Sequence, residues 1–551
     1  MTHYLNTVIN RKLMPQSLPI PGTTQVPNSA GGFAWAVDDW TRLDRFLILG
    51  SEGGSYYATE QALSRENADA VVRCVAQDGL RAVERIVEIS VAGRAPKNDP
   101  ALLALAIAAS LGDEPVRKAA LDALPQVARI GTHLFHFAGY MDGLRGWGRG
   151  PRRAVAAWYQ TMPARKLAYQ AVKYQSRDGW SHRDLLRLAH PVAVDDTHNA
   201  IFHWITQGWP GVGDEPHPDE ALRSIWAFER AKRAGSVGEI AGLIRDYNLP
   251  REAVPTHWLV QREVWAALLD SDMPMTAMIR NLATMTRAGL LTPMSEAAAK
   301  VTAELISRER LVAARVHPIA LLSALVTYQS GSGVRGYGKW QPVAEVVDAL
   351  DAAFYLAFDA VTPANRRMLL ALDISGSMGM GMVAGVPGLT PRLSSAAMAL
   401  VTAATERSHA FLAFTNGKYR SLYSKSGIGS GITQLDISPR QRLDDVVRAL
   451  SSLPLGGTDC ALPMVWATKY KVPVDTFVIY TDSETWSGDI HPVQALRKYR
   501  ERMGIPARLV VVGMVSNGFT IADPDDAGML DVVGFDTATP ELISGFARGD
   551  I

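Results

Sequence analysis

Hydroxyl and carboxyl side chains gather at three places in the last third of the sequence. Asp373, Ser375 and Ser377 follow the apolar run RMLLAL at alternate positions, with a glycine between the two serines that permits a tight turn. Thr458 follows two glycines, and Asp482 follows the apolar run TFVIYT. Oxygen ligands without any Cys or His suit a hard divalent cation such as Mg²⁺. The sequence therefore predicts a magnesium site formed by these five residues.

Two other interpretations of the same residues have to be weighed. Asp373 and Ser375 are also common helix caps, a role that requires no metal. An enzyme that uses the metal is the second alternative, with Asp459 or Glu484 as a general base. The sequence shows no nucleophile–base pair and no phosphate-binding P-loop, because the glycines after Ser375 lack the following Lys-Ser/Thr. We therefore expect no enzyme, and we expect Asp459 and Glu484 to support neighbouring loops.

The elements that must position these oxygens form an alternating pattern over residues 363–551. Apolar runs such as HAFLAFT, TFVIYTD and ARLVVVGM alternate with amphipathic stretches such as SSAAMALVTAATER and HPVQALRKYRERM. Alternation of this kind predicts a mostly parallel, doubly wound sheet of Rossmann-like type, with helices on both faces. Such sheets place functional loops at the carboxyl ends of their strands, where the predicted oxygen ligands lie.

Residues 31–362 have a different sequence pattern, which is typical of helices almost throughout. ALLALAIAASL (101–111) and the stretches THWLVQREVWAALL and IALLSALVTY repeat apolar residues at spacings of three and four. Short breakers separate them, as in an α-solenoid of HEAT-like repeats, although no fixed period is evident. Residues 1–30 are polar and rich in Pro, Thr and Ser, and we expect them to form a flexible arm.

Composition excludes several classes of protein. The chain has 551 residues with 56 basic and 55 acidic side chains, so any nucleic-acid surface has to be local. With only Cys74 and Cys460, a disulfide framework is not expected. The first residues lack the apolar core of a signal peptide, and we find no apolar stretch of spanning length. A cytoplasmic protein is expected.

One local basic surface is present between residues 145 and 187. This stretch contains ten Arg and Lys residues against two acidic ones, and Trp and Tyr residues are interleaved with them. Basic groups neutralise phosphates and aromatic faces stack on unpaired bases, so the stretch is a candidate RNA or DNA surface. The alternative is a solvated helical face whose aromatic residues belong to the core.

Several long strings resemble the Ro autoantigen family, including its bacterial members. The resemblance spans nearly the whole chain, and the strings that carry it are GSEGGSYYATEQ (50–61), KYQSRDGWSHRDLLRLAHP (173–191), ALDAAFYLAF (349–358), LGGTDCALPMVWA (455–467), YTDSETWSGDIHP (480–492) and SNGFTIADPDDAGMLD (516–531). The resemblance implies a TROVE domain of HEAT-like helical repeats, over residues 31–362, followed by a von Willebrand A domain over residues 363–551. In this family the helical repeats form a ring that the von Willebrand A domain closes.

The resemblance also implies roles for individual residues. Lys173, Arg177 and His190 match positions that contact Y RNA, a small noncoding stem-loop RNA, on the outer basic surface of the ring. Lys173 and Arg177 are four positions apart, which in a helix places both on one face. At the metal-ion-dependent adhesion site of the von Willebrand A domain, the matching Ser and Thr residues bind the ion through hydroxyls, and the two Asp residues act through water.

Two hypotheses follow from these implications. The first is a noncatalytic RNA-binding scaffold that holds Y RNA and admits single-stranded ends of misfolded noncoding RNA into the ring, for RNA quality control or degradation. Its expected partners include an exoribonuclease such as polynucleotide phosphorylase. The second is a metal-dependent protein-interaction module that acts without RNA. A nuclease or phosphohydrolase that uses the same metal is a third alternative, which the missing catalytic groups disfavour.

Overall fold

The structure of the chain is a computed structural model. The structure describes residues 13–52, 54–209, 213–271, 273–333, 338–358, 361–383, 386, 388–416, 431–438, 441–453 and 456–551. The chain divides into two compact units. The first, here the sheet unit, comprises residues 1–70, 94–96 and 358–551, and the second, the helical unit, comprises residues 71–93 and 97–357.

Helices dominate the chain up to residue 356. They are α1 (Asp39–Leu49), α2 (Glu60–Ala92), α3 (Asp99–Leu111), α4 (Glu114–Asp122), α5 (Leu124–Val127), α6 (Gly131–Leu144), α7 (Arg149–Thr161), α8 (Ala164–Lys173), α9 (His182–Ala189), α10 (Asp196–Gln207), α11 (Arg223–Ala231), α12 (Val237–Tyr247), α13 (Arg262–Asp270), α14 (Met275–Arg287), α15 (Glu296–Leu305), α16 (Arg308–Ala313), α17 (Pro318–Gln329) and α18 (Ala344–Leu356). Short 3-10 turns at Glu220–Leu222, Arg251–Ala253 and Thr256–Val260 join some of them. No described helix is both long and apolar enough to cross a membrane.

Strands and helices alternate in the rest of the chain, as the sequence predicted. The strands of the whole chain are β1 (Val26–Pro27), β2 (Phe33–Ala36), β3 (Ser176–Arg177), β4 (Trp180–Ser181), β5 (Met368–Asp373), β6 (His409–Phe414), β7 (Ile432–Leu435), β8 (Thr476–Thr481), β9 (Arg508–Gly513), β10 (Phe519–Thr520) and β11 (Met529–Val533). The later helices are α19 (Pro391–Thr405), α20 (Leu443–Ser451), α21 (Leu462–Tyr470), α22 (Pro492–Met503) and α23 (Thr539–Arg548), and Ser377–Gly379 forms a further 3-10 turn.

The central sheet has the strand order β11–β9–β8–β5–β6–β7. Neighbouring strands are parallel except β7, which runs antiparallel to β6 at the edge. After β5, the chain forms β6 and β7 on one side of β5 and then β8, β9 and β11 on the other side. The carboxyl ends of β5 and β8 therefore meet at the point where the strand order reverses, which is where open α/β sheets bind ligands.

Helices cover both faces of this sheet. Alternate residues of each strand point to opposite faces, and because both sets are apolar, both faces have to be buried. Phe477 and Ile479 of β8 share one core with residues of α21 and α22. On the other face, Tyr480 of the same strand hydrogen-bonds Thr402 of α19 over 3.0 Å. β5 and β8 are buried along their whole length, which explains why their sequences are continuous apolar runs.

The N-terminal segment differs from the flexible arm that the sequence predicted. Residues 1–12 lie outside the described residues, but Gln16 is fully buried and Ile20 is 3% exposed within the sheet-unit core. β1, β2 and β10 form a small antiparallel sheet that joins residues 26–36 to residues 519–520. Polar composition suggested disorder, yet these polar side chains are hydrogen-bonded to loops of the sheet unit.

A buried ion pair anchors the first helix to the same unit. Arg45 of α1 is fully buried, and its Nη2 donates to both carboxylate oxygens of Asp531 over 2.8 and 2.6 Å. Its Nη1 donates to the carbonyl oxygens of Asn517 and Phe519, each over 2.9 Å. The sheet unit therefore includes residues 13–70, whereas the predicted domain boundary assigned residues 31–70 to the helical part.

Candidate metal centre and nucleic-acid interface

Asp373 lies at the reversal point of the sheet, as the last residue of β5. Its side chain is fully buried. One carboxylate oxygen accepts a hydrogen bond from the backbone N–H of Ser375 over 2.8 Å, and the other accepts one from the Thr481 hydroxyl of β8 over 2.7 Å. The carboxyl group is thus fixed between the ends of the two central strands.

The predicted hydroxyl ligands lie in loops that are tied to one another. Ser375 Oγ and Ser377 Oγ are 3.1 Å apart, and both residues are buried. The loop of Thr458 is hydrogen-bonded to the serine loop, since Gly376 N–H donates to the Gly456 carbonyl over 3.2 Å. Thr458 is 1% exposed, and its carbonyl accepts from the backbone N–H of Trp486 over 3.1 Å. Three loops therefore converge on one place.

Asp482 completes the set from the end of β8. It is 5% exposed, and its carboxyl group shares a hydrogen bond with the Ser377 side chain. Burial, followed by the charge of Asp482, raises the pKa of Asp373 to about 7, and burial also raises the pKa of Asp482. Within the described part of the chain neither carboxyl group has an ion-pair partner.

These residues fit a divalent cation. Two buried, mutually repelling carboxyl groups and two hydroxyls 3.1 Å apart are a donor set of hard oxygens. A bound cation would offset the burial cost that raises both pKa values, because it supplies the opposite charge. The capping alternative does not account for these contacts, because Asp373 accepts from Ser375 N–H and from the adjacent strand and caps no α-helix.

Two side chains that the sequence interpretation missed also contact this site. Arg392, at the start of α19, donates from Nη2 to the carbonyl oxygens of Ile374 and Ser375 over 2.9 and 3.0 Å. It therefore fixes the backbone that carries the first serine. The Tyr57 hydroxyl shares a hydrogen bond with Ser377, and burial followed by the charges of Asp482 and Glu484 raises the pKa of Tyr57. No sequence spacing connects either residue to the site.

Asp459 and Glu484, the candidate general bases, hold loops in place. Asp459 Oδ1 accepts from Ala461 N–H over 3.1 Å, as in a cap, and from the Gln16 side-chain amide over 2.7 Å. Glu484 accepts from the backbone N–H groups of Ser29 and Ala30 over 2.8 and 3.2 Å. Both carboxylates thus connect the metal-site loops to the N-terminal segment, in line with the expected supporting role.

The basic stretch of the helical unit presents its charges to solvent. Its members, together called the basic surface, are exposed apart from the half-buried Lys173: Arg145, Arg149, Arg152, Arg153, Arg165, Lys166, Lys173, Arg177, Arg183 and Arg187. The aromatic residues divide into two groups. Trp158 and Tyr159 belong to the core, as the alternative interpretation proposed, whereas Trp147 and Trp180 pair at the surface with ring centroids 5.5 Å apart.

Lys173 and Arg177 do not share a helical face, so the prediction based on helical spacing was wrong. α8 ends at Lys173, and Tyr174 has a non-helical backbone (φ −115°, ψ 82°). The Lys173 ammonium lies 5.5 Å from the Tyr169 ring centroid and 5.4 Å from that of Tyr174. Burial lowers the pKa of Lys173, which indicates that the charge is partly removed from water.

Arg177 lies on a tight β-hairpin that was not predicted from the sequence. β3 and β4 pair with Arg177 opposite Trp180, and the two loop residues Asp178 and Gly179 have φ values of 54° and 80°. Positive φ at both positions is the geometry of a type I′ turn, for which Asp-Gly is a strong sequence signal. The Asp178 carboxylate contacts the His136 ring of α6, which anchors the hairpin.

His190 ends α9 with a left-handed backbone (φ 46°, ψ 53°), and its N–H donates to the Leu186 carbonyl. Its side chain is exposed, so the capping role belongs to the backbone and the ring is available to a ligand. The three predicted RNA-contacting residues therefore occupy the end of α8, the hairpin and the end of α9, on consecutive elements of one part of the helical unit.

Comparisons with known proteins identify both parts of the chain. The family model of the Ro60 vWA domain matches residues 367–547. The family model of the TROVE domain matches residues 26–208 and 246–330. Together they account for more than half of the sequence and confirm a helical TROVE region followed by a vWA domain.

Individual relatives match the chain over nearly their full length. The chain is 45% identical to the RNA-binding protein RO60 of Deinococcus radiodurans over 529 residues, 96% of each chain. It is 34% identical to the RNA-binding protein RO60 of Caenorhabditis elegans, over 99% of this chain and 94% of the relative. The crystal structure of the Deinococcus radiodurans RO (RSR) protein matches with a TM-score of 0.69 and 44% identity, over 93% of this chain and all of that chain. The chain therefore belongs to the RO60 family, in which a TROVE domain is combined with a Ro60 vWA domain.

Proposed function

We propose that this protein is a noncatalytic RNA-binding scaffold that holds RNA on the basic surface. The observation that carries the proposal is the exposure of that surface. Six of its side chains have neither a hydrogen-bond partner nor an ion-pair partner within the described residues: Arg149, Arg152, Arg153, Lys166, Arg183 and Arg187. Unpaired exposed cations are available to phosphates, and release of counterions on binding makes such contacts favourable. The relatives named as RNA-binding proteins support the same function.

The RNA in this proposal is a Y RNA, a structured stem-loop, with Lys173, Arg177 and His190 among its contacts. Single-stranded ends of misfolded RNA enter the ring that the family resemblance implies, and the complex serves RNA quality control or degradation in the cytoplasm. An exoribonuclease such as polynucleotide phosphorylase is the proposed partner. Arg177 and His190 are exposed, and Lys173 between two tyrosines offers a cation beside aromatic faces.

A gel-shift titration with a Y-like stem-loop tests the RNA assignment. Replacing Lys173 and Arg177 together by Ala is expected to weaken binding by about tenfold or more. The slope of log affinity against log salt concentration should fall by the amount that about two phosphate contacts contribute. The double variant Lys118→Ala/Arg262→Ala removes the same charge from exposed positions elsewhere in the helical unit and serves as the control. Equal affinities of the two double variants would contradict the assignment.

In the same proposal, the metal centre is a Mg²⁺ site at which a protein partner docks. Asp373, Ser375, Ser377, Thr458 and Asp482 would hold the ion, which supplies positive charge for an anionic oxygen of the partner when bound. The function of a metal-dependent interaction module without RNA is the second candidate. Trp486, next to the Thr458 loop, is 40% exposed and offers an apolar contact for a partner.

Pull-downs from cell extract separate these two candidates. Proteins that are still captured after ribonuclease treatment, but not in the presence of a chelator, support the interaction module. Proteins that are no longer captured after ribonuclease treatment support the RNA scaffold. The Asp373→Ala variant controls for chelation, because it removes the site without removing other metal ions from the extract.

A further inference from the structure

A short segment before α2 reaches the candidate metal centre within the sheet unit. It comprises residues 54–57 and is called the tyrosine segment, because two tyrosines end it. The Tyr57 hydroxyl shares a hydrogen bond with the side chain of Ser377, one of the two serines expected to bind the cation. Gly381, in the chain that follows this serine, is also close, because a Cβ atom at Gly381 would be 3.8 Å from the carbonyl oxygen of Gly54. Two separate contacts therefore place the tyrosine segment on the metal-site loop.

The base of the tyrosine segment is fixed to the rest of the sheet unit. The Gly50 carbonyl accepts a hydrogen bond from Ser516 Oγ over 2.6 Å. Ser51 Oγ accepts one from the side-chain amide of Asn67 over 2.9 Å. Asn67 is fully buried, so the packed interior around it holds its amide in place. The segment therefore extends from an anchored base, which makes its contact with the metal-site loop a defined part of the fold.

The tyrosine segment lies between the metal centre and solvent. Ser377 and Asp482 are 6% and 5% exposed. Tyr57 is half-buried, and Tyr56 next to it is 54% exposed, so exposure increases outward from the expected ligands through Tyr57 to the surface. Burial, followed by the charge of Asp482, raises the pKa of Tyr57, and its hydroxyl is therefore neutral near pH 7. A neutral hydroxyl in this place donates to a ligand oxygen without adding negative charge to the site.

Aromatic side chains border the metal centre at two of its three loops. Tyr57 contacts the serine loop through Ser377. Trp486 packs against the loop of Thr458, where a Cβ atom at Gly457 would be 2.7 Å from its Cζ2 atom. Mg²⁺ binds oxygens in an octahedral shell and usually keeps several waters, and a partner's oxygen would replace one of these waters. Of the two aromatic residues, Tyr57 is the one whose polar group contacts an expected ligand, and it therefore meets an incoming oxygen at the shell.

We propose that the Tyr57 hydroxyl occupies the position through which a partner's carboxylate reaches the metal centre, and that docking displaces it. The inference rests on the proposed Mg²⁺ docking site and adds the residue that restricts access to it. A carboxylate is expected to displace the phenol, because a charged oxygen is attracted to a divalent cation more strongly than a neutral hydroxyl is. Tyr57 thus acts as a built-in competitor, which weakens the binding of every partner oxygen and favours acidic partners over neutral ones.

Acetate is the probe for this competition, because it is a small carboxylate without other binding groups. Its affinity is measured on the full-length protein at saturating Mg²⁺ by differential scanning fluorimetry. Tyr57→Phe removes the hydroxyl and keeps the ring. We expect this variant to bind acetate about fivefold more tightly than wild type, which is the effect of removing one competing hydrogen bond. Tyr56→Phe removes the same group from the exposed neighbour and should bind acetate like wild type.

Mg²⁺ affinity without acetate is the second measurement, because a tyrosine that itself bound the cation would give a different result. Tyr57→Phe is expected to bind Mg²⁺ at least as tightly as wild type. An acetate affinity of this variant equal to or below that of wild type, or a several-fold loss of its Mg²⁺ affinity, would overturn the inference and leave the docking function standing. If wild type and variant bind no acetate in the presence of Mg²⁺, or if Asp373→Ala binds acetate like wild type, the docking function and this inference both fail.

Discussion

The side-chain amide of Gln16 donates to the carboxylate of Asp459 over 2.7 Å, across 443 positions of the chain. The same amide also donates to the Ile490 carbonyl over 2.8 Å, and its oxygen accepts from the Thr485 hydroxyl. Gln16 is fully buried. Gln16 thus joins the two loops that follow Thr458 and Asp482, and the stability of these loops of the candidate metal site depends on the segment that carries Gln16.

Gln16→Ala is expected to destabilise the sheet unit. The substitution leaves the buried side chains of Asp459 and Thr485 without these partners, and each lost partner of a buried polar group costs about 1–3 kcal/mol. We expect the urea midpoint of the sheet-unit transition to fall accordingly, measured by tryptophan fluorescence on the full chain. Leu18→Ala, at a position of the same segment that is 50% exposed, should change the free energy of unfolding by less than about 0.5 kcal/mol. Equal midpoints for the two variants would contradict the anchoring role.

Mg²⁺ is expected to raise the melting temperature of the wild-type protein and to leave that of Asp373→Asn unchanged. A ligand at a hundred times its Kd stabilises the folded state by about 2.7 kcal/mol. Without Mg²⁺, Asp373→Asn should melt no lower than wild type, because it removes one of two repelling buried carboxyl groups. Differential scanning fluorimetry with and without Mg²⁺ measures both effects. Ser452→Ala, an exposed serine after α20, is the control and should respond like wild type.

Gly179→Val is expected to weaken RNA binding while the helical unit remains folded. Gly179 has φ 80° in the hairpin turn, and a β-branched side chain strains this backbone by about 1–2 kcal/mol. The strain should disorder the hairpin and displace Arg177, with a loss of at least about fivefold in affinity. Gly179→Asn is the matched control, because Asn tolerates positive φ. A gel shift in which both variants bind like wild type would show that the hairpin geometry is irrelevant to RNA binding.

Much of the fold was predictable, because buried strands and amphipathic helices have distinct periods. β5 and β8 were recognised from apolar runs, and their order in the chain placed Asp373 and Asp482 at strand ends that the structure shows to be adjacent. The role of Gln16 was not predictable, since nothing local shows which distant loop a polar side chain will meet. The hairpin at Asp178–Gly179 was predictable from its Asp-Gly dipeptide, but it was missed because the sequences on both sides have helical patterns.

The helical unit is expected to lose stability as the pH falls from 7 to 5, through His182. This residue is 3% exposed, and burial lowers the pKa of its imidazole from 6.5 to about 4. Between these values the unfolded chain binds the proton and the folded chain does not, so the free energy of unfolding rises with pH in this window. Its contribution is complete above pH 6.5 and is lost progressively as the pH falls towards 4. The loss between pH 7 and pH 5 is about 2 kcal/mol.

The matched variant for this pH dependence is His182→Gln, which keeps a polar side chain beside the Tyr159 hydroxyl, 2.8 Å from Nδ1 in the wild type. Urea unfolding followed by circular dichroism at pH 5, 6 and 7 gives the free energy of unfolding for both proteins. The variant should be less stable than wild type at pH 7, where the imidazole is neutral and hydrogen-bonded. The difference between the two free energies of unfolding should narrow by about 2 kcal/mol at pH 5, since only the wild type then has the additional proton that residue 182 binds on unfolding. Parallel curves would show that His182 does not titrate between the two states.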